Sequence, residues 1–268
     1  MKNFKELKNG VELRMKRCWG ECCALFFISV GELAAALFAG YLVMGFFVAT
    51  GVAESPNDPI VIAVAAAILF VMWIITVPYK YGLRWYRLQQ VRGHSVHAKS
   101  VFSCYFSAKR MFQVYKLSLM LFLKKSILMV PFLLLLGTAV YLIIKFGTLG
   151  SSVGYNLLVV VLIMLSVVAY IAYNIVNIKY TAAPYIFVLG FDRPAKEIID
   201  DSVRFTKNWQ GYMVEVLRNC AVILLPCILI FPMIFVIPKL MMIYTAAINE
   251  MIENGFAEDK LVVTERRG

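Results

Sequence analysis

The sequence predicts an all-α fold: a polytopic transmembrane helical bundle of six helices arranged as three hairpins, with short amphipathic interfacial helices on the cytoplasmic side. Three observations predict it. Apolar residues make up 61% of the 268-residue chain and the mean hydropathy is +0.76, against roughly 45–50% apolar in soluble domains. Those residues gather in runs long enough to cross a bilayer. Between Pro59 and Phe191 the chain has no Asp or Glu, yet it carries twelve Lys and Arg, ten of them between Lys80 and Lys125.

A spanning helix needs about 20 mostly apolar residues to cross a hydrocarbon core of about 30 Å. Runs at residues 22–53, 60–79, 126–146 and 155–178 meet that length. Backbone groups cannot be left open in lipid, so these runs predict helices. The period-2 alternation of a membrane barrel is absent. The last apolar stretch, residues 213–252, is 40 residues long and as one helix would measure about 60 Å. Pro226, Pro232 and Pro238 interrupt it, and proline removes a helix hydrogen bond. Two helices over 213–230 and 232–250, with a tight turn near Phe231 and Pro232, are therefore expected. A five-helix alternative leaves the tail on the opposite side. In either case residues 1–268 read as a single integral membrane domain.

Orientation follows from where the cations fall. Six lie in the arm up to Arg17, ten from Lys80 to Lys125, five from Lys179 to Lys207 and three in the tail, 24 of the 27 in all. Basic loops stay inside, so both termini are expected in the cytoplasm of a multi-pass cell-membrane protein. The opposite loops are expected to hold Glu54, Asp58, Lys145 and Lys239. Two of the inner connections are long enough for structure. Residues 95–115 interleave Val101, Tyr105, Phe106 and Phe112 with Lys99, Lys109 and Arg110. Residues 195–209 place Ile198, Ile199, Val203 and Phe205 among charges. Both predict amphipathic helices lying on the membrane surface.

Candidate functional residues are few. Glu32 lies in an apolar run, where an ionisable side chain is costly and points to function. The run is longer than the bilayer, so Glu32 also fits a place near the inner boundary. Lys80, Arg84, Arg87, Arg92, Lys109, Arg110, Lys124 and Lys125 are the candidate contacts to anionic phospholipids, because cations at a membrane surface attract anionic headgroups. Glu215 and Arg218, three apart, are placed to pair on one helix face, and Asn174 and Asn177 to bond to a neighbouring helix. His94 and His97 make a weak metal pair amid cations. The six cysteines form no CxxC pair, and no disulfide is expected in a cytoplasmic setting. No HExxH, GxSxG, P-loop or GxGxxG pattern occurs, so neither an enzyme nor a cofactor is expected.

Several short motifs lie in a recognisable order. Pro78-Tyr79-Lys80-Tyr81-Gly82-Leu83-Arg84-Trp85-Tyr86 precedes Arg92-Gly93, Val101-Phe102 and Tyr105-Phe106. Lys179-Tyr180-Thr181-Ala182-Ala183-Pro184-Tyr185-Ile186 leads into Ala195-Lys196-Glu197-Ile198-Ile199-Asp200-Asp201-Ser202. Ile237-Pro238-Lys239-Leu240 and Tyr244-Thr245-Ala246-Ala247 follow. This order resembles an uncharacterised family of bacterial integral membrane proteins with six helices and no assigned activity. Asn208-Trp209-Gln210-Gly211 departs from the family's plainer Lys-Gly stretch, and Lys239 stands in place of a Tyr. The resemblance implies a bacterial source and a cell-membrane location, and carries over no catalytic residue. The expected role is a non-enzymatic accessory or structural subunit of an envelope assembly. Its partners would be the lipid bilayer, anionic phospholipids, and a membrane protein or second copy of the chain, with no nucleic acid. A small transporter or permease subunit using Glu32 and the proline-broken last helices is the alternative.

Overall fold

The structure is a computed structural model, and it describes residues 3–52, 58–146, 153–190, 193–224 and 230–265. Eight α-helices and two 3-10 segments occur among the described residues, with no strand. Five helices are long and apolar enough to cross a membrane.

Helix α1, Phe4–Ala49, starts at Asn3, whose backbone N–H donates to Glu6 Oε2 at 3.2 Å. Such capping satisfies donors that the first turn leaves open. Leu7, Val11, Met15, Cys18, Cys22 and Leu25 are buried. Their spacing of three and four keeps them on one face. The helix kinks at Cys18, whose φ of −120° and ψ of 17° are not helical. Beyond Leu25 the stripe ends, and Leu37, Phe38, Tyr41 and Phe46 stand exposed.

Helix α2, Pro59–Val91, opens with Asp58 Oδ1 accepting from Ile60 N at 2.9 Å. Pro59 at the first position needs no donor partner. It runs antiparallel to α1: Tyr79 Oη donates to Leu25 O at 2.9 Å, and Tyr86 Oη to Glu21 Oε2 at 2.7 Å. After Arg92 the chain turns at Gly93, with φ +88°, a conformation that favours glycine. The 3-10 segment Ala98–Phe106 then lies back along α2. Gly82 makes this possible, since a Cβ there would sit 1.7 Å from Val101 O. The expected amphipathic helix over 95–115 is thus a 3-10 segment followed by the first turns of α3. Its Val101 is buried against α2 rather than in lipid.

Helix α3, Ala108–Phe146, buries Val114, Leu117 and Leu121 and then becomes exposed. Helix α4, Val153–Asn177, pairs with it antiparallel. Tyr155 Oη donates to Leu142 O at 2.5 Å, and the Phe132 and Tyr170 rings lie 5.3 Å apart. The 3-10 turn Ile178–Tyr180 leads into α5, Ala183–Leu189, which is buried along most of its length.

Helix α6, Ala195–Lys207, is strongly amphipathic, as the sequence predicts, but Ile198, Ile199 and Phe205 are buried inside the protein. Ser202 Oγ ties it to Lys179 O at 2.8 Å. Its apolar face therefore meets protein instead of the membrane surface. These connections share one core with the long helices.

Helix α7, Gln210–Leu224, spans 15 described residues, about 22 Å. That is short of a bilayer core, so it is not among the five candidate spans. Residues 225–229, inside the expected fifth span, lie outside the described residues. Helix α8, Ile230–Glu265, starts before the expected turn, and Pro232 occupies its first turns, where proline is tolerated. Lys239, expected on the opposite side, instead reaches Glu12 on α1 as an ion pair. The start of α1 and the later part of α8 lie together, since Glu6 and Gly10 share a cleft with Asn249 and Glu253.

The core is therefore built from Leu7 to Leu25, Val77 to Val91, the middle of the chain around α5 and α6, and Leu240 to Ile252. Each fully buried aliphatic or aromatic side chain contributes about 1.5–3 kcal/mol. Two antiparallel helix pairs, the outer parts of α1 with α2 and of α3 with α4, emerge from it with their apolar side chains exposed.

Candidate functional site

The cations predicted to contact lipid divide into four environments. Lys80 is exposed at the border of the core, within electrostatic range of Glu32 on α1. Glu32 itself is partly buried. Arg92 is occupied: its Nε donates to Asn249 Oδ1 at 2.9 Å, and Glu253 lies 3.8 Å away. Asn249 in turn donates to Glu253 Oε1 at 2.9 Å. Lys109 and Arg110 stand exposed on the first turn of α3. Lys109 lines a cleft of about 220 Å³ with Gln113, Lys116 and Arg193.

The remaining four converge. Arg84 stacks over the Tyr81 ring at 5.1 Å. Arg87, Lys125 and Tyr244 all lie within its electrostatic range. Lys124 sits 5.9 Å from the Tyr180 ring centroid, and Lys179 sits 5.0 Å from the same ring. Elements from α2, α3, the Ile178–Tyr180 turn and α8 thus supply two cation groups, Arg84 with Arg87 and Lys125, and Lys124 with Lys179 on the Tyr180 ring, joined into one cluster by the adjacent Lys124 and Lys125. It lies where the exposed pairs meet the core: Lys124 and Lys125 precede the exposed Ile127, and Lys179 follows the exposed Val176. Among the described residues, none of Arg84, Arg87, Lys124, Lys125 and Lys179 forms an ion pair, and no carboxylate joins them. Cations over aromatic rings gain about 0.5–2 kcal/mol, which offsets part of their mutual repulsion.

Sequence reasoning had found four of these cations. It missed Lys179, counted only for orientation, and the tyrosines that receive the charges. Lys179-Tyr180 directly follows the fourth apolar run, and that position is the signal that could have found it.

Other expected pairs form differently. Glu215 and Arg218 make no ion pair among the described residues. Asn174 Nδ2 donates to Tyr170 O in its own helix at 2.8 Å, not to a neighbouring helix. Asn177 is buried, and neither its Nδ2 nor its Oδ1 has a partner. His97 faces Glu21 at 3.8 Å, and Glu21 also accepts from Tyr86. Cys18 and Cys22, one turn apart, bring their sulfurs to 3.8 Å at the kink of α1.

Several charges elsewhere are balanced locally. Asp201 takes both Arg193 and Arg204, the latter at 2.9 Å. Glu250 beside Tyr212, together with burial, pushes the Tyr212 hydroxyl well above its ordinary range, burial being the larger cause. A cleft of about 500 Å³ between α1 and α8 mixes Arg14 and Arg92 with Glu6, Glu250 and Glu253. Among the described residues the cluster on Arg84, unlike these, has cations without acids. Comparison with protein-family models, with curated proteins and with solved structures finds no match for this chain.

Proposed function

We propose that this chain is a multi-pass cell-membrane protein that works by helix packing and contact with anionic lipid, as a non-enzymatic accessory subunit of an envelope assembly. The observation that carries this reading is the cluster of Arg84, Arg87, Lys124, Lys125 and Lys179 without acids, set where the exposed apolar pairs leave the core. Anionic headgroups are the natural counter-charge at such a border, since each basic residue near a membrane surface gains about 1 kcal/mol. The cluster holds no carboxylate to act as a general base, which favours binding over hydrolysis. The exposed apolar faces leave room for partner helices or a second copy.

In this reading the outer pairs cross the bilayer and the core lies in the cytoplasm with both termini. Helices α7 and α8 form the third hairpin. A reporter thiol added after Gly268 should react with an impermeant reagent only in inside-out vesicles; reaction from the outer face removes this topology. Vesicles of phosphatidylglycerol should capture the purified protein better than phosphatidylcholine vesicles, with the difference shrinking in high salt. Equal capture by both sinks the lipid reading.

The transporter reading rests on Glu32 and its neighbour Lys80. It requires Glu32→Gln to abolish ion flux in reconstituted vesicles, while a mutation of the Arg84 cluster leaves flux intact. The proximity of Lys80 favours a charge-balanced boundary residue instead.

A further inference from the structure

We infer that the cleft where the start of α3 meets the start of α6 is a site for the phosphate group of a small phosphoester taken from solution. The site is separate from the Arg84 cluster, and only the choice of source rests on the proposed topology.

The cleft has a volume of about 220 Å³, and three cations line it: Lys109 and Lys116 of α3, and Arg193 from the segment before α6. Lys109, Gln113 and Lys116 are spaced by four and three, so they share one face of α3. Among the described residues no carboxylate lines the cleft. Arg193 is steadied by Asp201, whose Oδ2 accepts from its Nη2. A guanidinium carries five N–H donors, so this bond does not exhaust it.

The backbone adds to the charge. Lys109 lies in the first turn of α3, which holds no acid. A cation there opposes the helix dipole. Helix α6 opens with Pro194 and Ala195, both of which line the cleft, and no side chain caps it. The first N–H groups of a helix have no acceptor within it. Cations gathered at such ends repel one another unless an anion joins them. The Gln113 side-chain oxygen is buried without a partner, and a half-turn of the amide presents its NH₂ as a further donor.

Size and position decide the occupant. The cleft is smaller than the roughly 300–1,000 Å³ of sites for drug-sized ligands. It fits a phosphate with a few carbons rather than a nucleotide, and Phe112 and Phe187 give those carbons an apolar wall. A phosphate could come from a lipid headgroup or from solution. Lys116 and Lys109 precede Lys124 by eight and fifteen residues on the same helix, about 12 and 22 Å. The headgroup layer is only about 5–8 Å thick on each face. With Lys124 at the membrane border, the cleft lies beyond the reach of headgroups, which favours a soluble phosphoester.

The test uses the full chain in phosphatidylcholine nanodiscs, titrated with glycerol 3-phosphate in a calorimeter. Wild-type protein should bind it saturably at one site and should not bind glycerol. Lys116→Gln and Lys109→Gln should each weaken binding by about tenfold, the loss of one charge-assisted hydrogen bond. Lys16→Gln, exposed on α1, should leave it unchanged. Absence of saturable binding, or binding that neither cleft variant weakens, overturns the site. Binding should also be the same in discs containing phosphatidic acid and in discs with an equal share of phosphatidylglycerol. Loss in the phosphatidic acid discs alone assigns the cleft to a lipid headgroup and overturns the source in solution. The preference for phosphatidylglycerol vesicles should persist in Lys116→Gln, so failure of this site and failure of the lipid reading are told apart.

Discussion

The two halves of α2 have different surroundings. Over residues 60–76 it exposes Ile62, Leu69, Phe70 and Ile75, whereas from Val77 to Val91 it buries Tyr79, Tyr81, Leu83, Tyr86 and Leu88. The same division recurs in α1 at Leu25 and in α3 after Leu121. Leu134 is 66% exposed and Ile144 77%, while Leu117 is 0%. Apart from Glu32, the outer halves are mostly Leu, Val, Ile, Ala and Phe. The inner halves carry tyrosines whose hydroxyls find specific partners, such as Glu21 and Leu25 O. Lipid accepts any apolar surface, whereas a protein core demands shape and hydrogen-bond complementarity. Substitutions should therefore be severe in the inner halves and mild in the outer ones.

The largest expected difference is at glycine. Gly82→Val would drive a Cβ into the backbone of Val101, 1.7 Å from its carbonyl oxygen. Backbone cannot step aside cheaply, so a loss of about 3 kcal/mol or more is expected, or failure to fold. Gly137→Ala has nothing within 4 Å and should raise stability by up to about 1 kcal/mol through helix propensity. Thermal unfolding in one detergent compares the two. Equal effects would dissolve the division.

Next comes truncation. Ile198→Ala, at a fully buried position, should cost about 2–5 kcal/mol. Ile144→Ala, in the outer part of α3, should change the detergent melting temperature little, because no protein cavity forms. A large loss for Ile144→Ala would mean that α3 packs against protein there.

A smaller effect is expected at Gly255, where a Cβ would meet the Phe205 ring at 2.5 Å. The ring can tilt, since it contacts Phe256 edge-on at 5.0 Å. Gly255→Ala should therefore cost about 1–3 kcal/mol, less than Gly82→Val, by the same melting measurement.

The smallest concerns the Glu12–Lys239 ion pair, which links α1 to α8. Its hydrogen bond from Lys239 holds the Glu12 carboxyl below the usual carboxylate range. Stability from the pair is fully present above the ordinary pKa of about 4.3 and is lost as pH falls through the lowered folded value. Glu12 is accessible, so the contribution is under about 1 kcal/mol. The melting difference between wild type and Glu12→Gln should shrink from pH 7 towards pH 3. A difference that grows on acidification would contradict the pair.

The apolar runs and their helical form were legible because long apolar helices are written in composition alone. Residues 126–146 and 155–178 fall inside α3 and α4 with few surprises. The core was not legible, because its contacts join segments far apart in the chain. The motif from Pro78 to Tyr86 showed its charges and aromatics in sequence. Nothing there told that Tyr81 meets Phe187 at 5.5 Å or that Gly82 receives Val101. Helix α6 was read correctly as amphipathic, yet its apolar face packs inside the protein, because periodicity reveals an apolar face and not what covers it. Lys239 was misplaced for a similar reason: its run is apolar enough for lipid, yet Lys239 reaches Glu12, and Leu240, Met242, Ile243 and Ala246 beyond it are buried in protein. The candidate site was half visible. Arg84, Arg87, Lys124 and Lys125 stood out in a stretch without acids, but Lys179 and the Tyr180 ring that it approaches together with Lys124 needed the fold.

On the proposed function the outer helix pairs meet lipid while the core meets water. Footprinting of the reconstituted full chain tests it most directly, with a carbene reagent dissolved in the bilayer and hydroxyl radicals generated in the water. The carbene should label Leu69, Leu134 and Met164 on the outer pairs, and hydroxyl radicals should modify the exposed side of α6 around Val203. Hydroxyl-radical oxidation of Tyr41 and Met164, together with carbene labelling of α6, would contradict the account.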